Sequence, residues 1–317
     1  MLPFVRRVVS AIGVIAGVVT LMFFLLRLAP GDPALLLVGP AATQEQLAAQ
    51  RRVMGLDRPL PVQYATWVVQ FVRGDWGRSI ATGRPVREMI AQAWPATVSL
   101  VGISLVLSYL AGIVIGVVQA VRGGTLDTAL SIASVTLFAL PGYWFGLMLV
   151  MLFTYRLRLL PAFGSAGFDA DFLTGWGRVA DRLRHLALPL TTLTLVGLGG
   201  TARFVRGAML DVGSEPYIAI ARAKGLTETQ VALRHMLRNA LIPVVTLLGL
   251  SLPTLFSGAV FVEAIFAWPG VGRILVEAVQ ARDYPVVMAA TAVSATLVVL
   301  GNLLAEALTA WVDPRVR

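Results

Sequence analysis

The chain has 317 residues, 57% of them hydrophobic and 14% charged, with a mean hydropathy of +0.79. A soluble domain of this size carries about 25% charged residues, so a water-facing fold is excluded and the chain reads as an integral membrane protein. The absence of cysteine removes disulfides, thiolate metal sites and cysteine nucleophiles. The net charge of +9, almost all arginine because Lys224 is the only lysine, suits membrane topology and anionic lipid headgroups better than nucleic acid.

Six uncharged runs follow one another: 8–26, 89–121, 128–155, 186–202, 239–262 and 284–305. A bilayer core needs about 20 apolar residues as helix, so each run predicts one span. The first is too long for the apolar core of a leader, and no small-x-small cleavage site follows it, which predicts a retained span. The segment 29–88 opens on Pro30-Gly31-Asp32-Pro33, which stops a helix. Thr43 and Gln46 have capping-box spacing, and a second short helix is expected from Leu60 to Val72, with Trp67, Phe71 and Trp76 suited to the headgroup region. These features predict a first transmembrane helix plus an extracytoplasmic helical segment in residues 1–92, followed by a five-helix membrane unit over 93–317. Pro141 and Pro253 are expected to kink their helices. Gly112, Gly116, Gly249 and Gly258 are expected to let helices approach closely, and His185 to stand where the fourth span begins.

The loop 203–240 holds six basic residues. With Arg6, Arg7, Arg122, Arg315 and Arg317 it favours cytoplasmic N- and C-termini by the arginine bias of short loops. Within it, Ser214 reads as an N-cap, Pro216 as a first-turn residue and Gly225 as the glycine that closes the helix. Tyr217, Ile220, Ala221 and Lys224 share a face by helical spacing. Thr227-Glu228-Thr229-Gln230 is a second capping box. An apolar stripe flanked by Arg222 and Lys224 outside the membrane suits a protein partner with a groove.

This loop resembles the EAA loop of binding-protein-dependent ABC importer permeases, in the variant of the peptide/nickel group. The resemblance also covers Pro30-Gly31-Asp32-Pro33, Gly74-Asp75-Trp76-Gly77-Arg78-Ser79 and His185-Leu186-Ala187-Leu188-Pro189. It continues through Trp268-Pro269-Gly270-Val271-Gly272-Arg273, Arg282-Asp283-Tyr284-Pro285 and Asp313-Pro314-Arg315. The chain departs from the general motif at Ala219, where Glu is usual, and at Arg238, where Pro is usual, while Ala221 and Gly225 are kept.

The resemblance implies an all-α membrane protein with six transmembrane helices and the type I ABC importer permease fold. It implies the first of two paralogous permeases in a prokaryotic inner membrane, importing di- or oligopeptides, with nickel, glutathione or sugars as alternative cargoes. The implied partners are a second permease, cytoplasmic ATP-binding subunits, an extracytoplasmic substrate-binding protein and membrane lipid. The coupling residues would be Glu215, Tyr217, Ile220, Ala221, Arg222, Ala223, Lys224 and Gly225. Glu263, Trp268, Pro269, Gly270 and Arg273 would lie at an outer mouth. No catalytic or metal site is expected. A Walker A loop needs Gly-Lys before Ser or Thr, and Lys224 stands between Ala223 and Gly225, so ATP and Mg belong to partner subunits and this chain binds no cofactor. An ATP-independent transporter would be expected to show inverted repeats and paired broken helices, and an intramembrane enzyme a catalytic constellation. Neither pattern is present in the sequence.

Overall fold

A computed structural model of the chain describes residues 2–28 and 31–312. Pro30, Asp313-Pro314-Arg315 and Arg317 lie outside the described residues, as do the side chains of Gly249 and Pro253. The described residues are mostly helical, with one isolated bridge between Arg78 and Pro85. In order, α1 is Leu2–Leu28, α2 Pro33–Val38, α3 Gln44–Val53, α4 Leu60–Val72, α5 Val86–Arg122, α6 Gly124–Ala139 and α7 Gly142–Leu149. Then come α8 Trp176–Gly213, α9 Pro216–Ala223, α10 Glu228–Gln230, α11 Leu237–Ile265, α12 Val271–Gln280 and α13 Tyr284–Val312. Two π-helical stretches, Val150–Arg156 and Val231–Met236, extend α7 and α10.

Among the described residues, five stretches are long and apolar enough to cross a membrane: Arg6–Leu28, Val86–Arg122, Trp176–Gly213, Glu228–Leu248 and Tyr284–Leu304. The expected third span differs. It consists of two helices, α6 and α7 with its extension, bent by 104°, and makes a sixth span only when the pair is counted as one. Pro141 is the cause. It has no N–H to continue the helix and drives the residue before it out of the helical region, and Leu140 is extended at φ −70°, ψ 131°. By contrast, Pro189 sits inside the continuous α8 and Pro95 inside α5.

The chain divides into two compact units: residues 1–96 with 269–299, and residues 97–268 with 300–317. The stretch 269–299 therefore groups with the N-terminal segment.

In the first unit, Val86, Ile90 and Ala93 of α5 pack with Val271 and Ala278 of α12 and with Val286, Val287, Ala289 and Ala290 of α13. Val19 and Phe23 of α1 pack with Met288 and Ala292 of α13. The capping box at Thr43 forms in both directions, and Asp32 caps α2 while pairing with Arg51 at 2.6 Å. The aromatic residues of α4 pack against other aromatic rings. Trp67 and Phe71 lie 5.1 Å apart, Phe71 and Trp76 5.3 Å, and Phe23 and Tyr64 5.3 Å. Asp283 is buried just ahead of α13, where its carboxylate accepts from the Ser79 hydroxyl, from Ile80 N at 3.0 Å and from Ala81 N at 3.2 Å.

In the second unit, α5 meets α8 at Gly112 and Gly116. A methyl group at Gly112 would stand 2.7 Å from Thr201, and one at Gly116 2.7 Å from the carbonyl of Ala202 and from Val205. Those two glycines make the close approach expected of them. Gly258 leaves ordinary space, with Leu193 3.9 Å away. His185 lies inside α8 rather than where it begins, because the helix starts at Trp176. It is buried, with Nδ1 2.9 Å from the carbonyl oxygen of Asp181.

Candidate functional site

The 203–240 loop is a helical unit built onto a core of its own. Met209 and Val205 of α8, Val231, Ala232 and Met236 of the π-helical stretch, and Tyr109 of α5 enclose Ile218 and Ala221 of α9. Ile218 is fully buried and Ala221 nearly so. Pro216 takes the first position of α9, as expected, but its cap differs. Glu215 is the N-cap and makes no side-chain capping bond. Ser214 instead closes α8, its hydroxyl bonded to the carbonyl of Asp211 at 2.7 Å. At the other end Lys224 is the C-cap and Gly225 follows at φ +83°, a left-handed position where a side chain would be strained. Thr227 and Gln230 then form the reciprocal capping box that opens the next helix.

The exposed face corrects the expected stripe. Tyr217, Ile220 and Lys224 face outward with Glu215, Arg222, Ala223 and Gly225, whereas Ala221 points into the core with Ile218. Ile218 is the residue the sequence reading missed. A stripe begun at Tyr217 picks up Ile220, Ala221 and Lys224, but the apolar partners supplied by α8 select positions 218 and 221. Arg222 is not a free cation. It makes two bonds to Glu228, at 2.9 and 3.3 Å, and these lash α9 to α10 across the turn. Tyr217 accepts a hydrogen bond from Asn239 Nδ2 at 3.0 Å, tying α9 to the start of α11.

The second unit also holds a cavity of about 930 Å³, lined by residues from α5, α6, α7, α8 and α11. Tyr109 and Ser251 meet across it with their hydroxyl oxygens 2.8 Å apart. Beside it, Arg206 of α8 makes two 2.6 Å bonds to Asp127 of α6. Asp127 also accepts from Ser131 at 3.2 Å, and Ser131 accepts from the buried Gln119 at 3.0 Å. This network is the second feature the sequence reading missed. Its one visible signal is a lone acid beside an apolar run facing an arginine 79 positions on.

The residues expected at an outer mouth fall in both units. Glu263 and Trp268 belong to the second and are buried, with Trp268 N bonded to the Glu263 carbonyl at 2.9 Å. Pro269, Gly270 and Arg273 belong to the first, where Arg273 pairs with Glu277 at 2.6 Å. Among the described residues no group of three or more His, Cys, Asp or Glu could hold a metal ion.

Two family models account for nearly the whole chain. Residues 108–317 match the binding-protein-dependent transport system inner membrane component, and residues 1–101 match the N-terminal component of such systems. The chain belongs to this permease family. The oligopeptide transport system permease protein AppB of Bacillus subtilis is 40% identical over 98% of both chains. The probable D,D-dipeptide permease DdpB of Escherichia coli is 42% identical over 96% of this chain and 94% of that one. The dipeptide permease DppB of the same species is 36% identical over 100% and 99%. Among solved structures, a chain of the MetNI methionine ABC transporter in inward-facing conformations shares the fold. Its TM-score is 0.55 at 17% identity, covering 72% of this chain and 98% of that one. A chain of an amino acid ABC transporter gives a TM-score of 0.51 at 12% identity, covering 72% and 94%.

The permease fold of the type I importers is thus the fold of this chain, and the chain is an integral membrane component of a multi-subunit transport system. The expected family membership holds over the full length. So does the all-helical expectation, with the third span broken.

Proposed function

We propose that this permease forms half of the pathway through which short peptides enter a prokaryotic cell, and that α9 receives the movement of a separate ATPase pair. The observation that carries the coupling role is a short helix anchored by Ile218 and Ala221 while Tyr217, Ile220 and Lys224 stay outside. An element with a packed back and an open apolar face transmits displacement, because the packed side moves with the helices it is embedded in. Glu215, Arg222, Ala223 and Gly225 border the docking face, with the Arg222–Glu228 pair keeping the bend stiff. ATP and Mg are held by the partner subunits, and this chain neither binds a cofactor nor catalyses a reaction.

Peptide cargo is supported by the names of the full-length relatives, which are oligopeptide, D,D-dipeptide and dipeptide permeases. A second, paralogous permease completes the pathway and an extracytoplasmic binding protein delivers the cargo. The arginine bias of the short loops supports a cytoplasmic position for both termini and the α9 unit, in a cell bounded by this inner membrane.

The lack of native cysteine makes the test direct. Ala223→Cys in the assembled importer is expected to form a bifunctional thiol cross-link to the ATPase subunit, with a yield that changes on adding nucleotide. Labelling of that cysteine in intact cells by an impermeant maleimide, with no cross-link to the ATPase, would sink the coupling role.

A further inference from the structure

The cavity in the second unit has an uneven chemistry. Ser108 donates its hydroxyl proton to the Thr194 carbonyl at 2.9 Å, Thr192 to Leu188 at 2.8 Å, and Thr201 to Gly197 at 3.1 Å. Ser251 donates to Leu247 at 2.9 Å, so the short contact between Tyr109 and Ser251 must use the tyrosine proton. Of the five wall hydroxyls whose protons are committed within the protein, Ser108, Thr192 and Thr201 are buried, so the Tyr109–Ser251 pair is the acceptor group at the space. That pair is an acceptor surface.

Two arginines supply the opposite character. Arg206 is matched by its two bonds to Asp127. Arg203 has no carboxylate partner among the described residues. Its guanidinium lies over the Phe138 ring, 5.5 Å from the centroid, a contact that holds the charge without consuming the N–H donors. Both Arg203 and Phe138 line the cavity. The site is thus a mostly apolar hollow with one acceptor pair and one uncompensated cation, and its volume of about 930 Å³ lies in the range of small-molecule sites.

We infer that this cavity is a transit subsite for a zwitterionic short peptide, with Arg203 holding the terminal carboxylate and the Tyr109–Ser251 pair accepting from a peptide N–H group. The inference rests on the peptide reading above. Arg203 suits the role because its planar donors match a carboxylate two at a time. It is also exposed to the cavity rather than sealed, so the contact is weak enough to release cargo. Arg203 is a cargo-binding residue here, and Phe138 positions it.

The test uses the complete importer in vesicles, with binding protein preloaded with radiolabelled dialanine, and reads peptide delivered per ATP hydrolysed. Arg203→Gln is expected to lower that ratio about ten-fold, the scale of one charged hydrogen-bonding contact, and Arg203→Lys to recover most of it. A wild-type ratio in Arg203→Gln would overturn the inference and leave the peptide reading standing. Wild-type vesicles that accumulate no dialanine would overturn both. A lysine variant as poor as the glutamine variant, with ATP hydrolysis lost in step, would show a structural role instead. A measurement on the unaltered complex guards against misassembly: a dipeptide with a benzophenone on its first side chain is expected to label Leu247 or Leu250. Labelling confined to other segments would count against the site.

Discussion

The loop after Trp76 and the bend at Gly225 are both short, irregular and packed on long helices, yet they are held by opposite means. In the first, Asp283 gathers the Ser79 hydroxyl and two backbone N–H groups. In the second, Ile218 and Ala221 sink into an apolar core, and polar contacts are confined to the edges. A buried carboxylate with several donors has one good position, since any slip leaves charge and donors unpaired in a low-dielectric site. An apolar contact degrades gradually as it slides. The polar lock suits a part that stays fixed, and the greasy pivot permits the movement proposed for α9.

That contrast breaks first at Asp283. Asp283→Ala strands a hydroxyl and two N–H groups and should cost about 4 kcal/mol. The expected outcome is a markedly lower melting temperature of the detergent-solubilised importer, and an unchanged one would show that the lock does not hold the loop. Next comes Ile218→Ala, which removes a fully buried side chain from the pivot and should cost about 3 kcal/mol. Because the loss is local, limited proteolysis within 214–230 should accelerate while cleavage in 73–85 keeps its rate, and equal acceleration of both would erase the distinction. The smallest effect is expected from Arg222→Gln. Its pair with Glu228 is about half exposed, and such pairs contribute roughly 0.5 kcal/mol. Stability should hardly change, and a large drop in melting temperature would mean that the bend depends on charge rather than on its core.

What the sequence could show depended on how far apart the partners lie. Both capping boxes, Pro216 at the start of α9 and Gly225 at its end were legible, because each is a contract between residues a few positions apart. Ser214 was misread for a reason of length. The uncharged run ends at Ala202, but charged residues do not stop a helix once it leaves the hydrocarbon, so α8 continues to Gly213 and Ser214 becomes its closing residue. The choice between the 217–220 and 218–221 faces required the side chains of α8 and the π-helical stretch, which periodicity within α9 does not contain. The Asp283 cradle spans 204 positions and the Arg206–Asp127 pair 79. Both were invisible as contacts, although two of the motifs behind the family resemblance turn out to be the two halves of the cradle.

The break at Pro141 carries one more implication. A chain that turns through 104° within an apolar stretch leaves carbonyl oxygens that no helical N–H can reach. Lipid tails offer them nothing, so irregular backbone at that depth survives only when enclosed by protein or wetted from a hollow. Gly142, the first residue beyond the turn, borders the cavity. The hollow beside the elbow is thus where polar partners can meet those peptide groups, and filling it with apolar side chains would strand them.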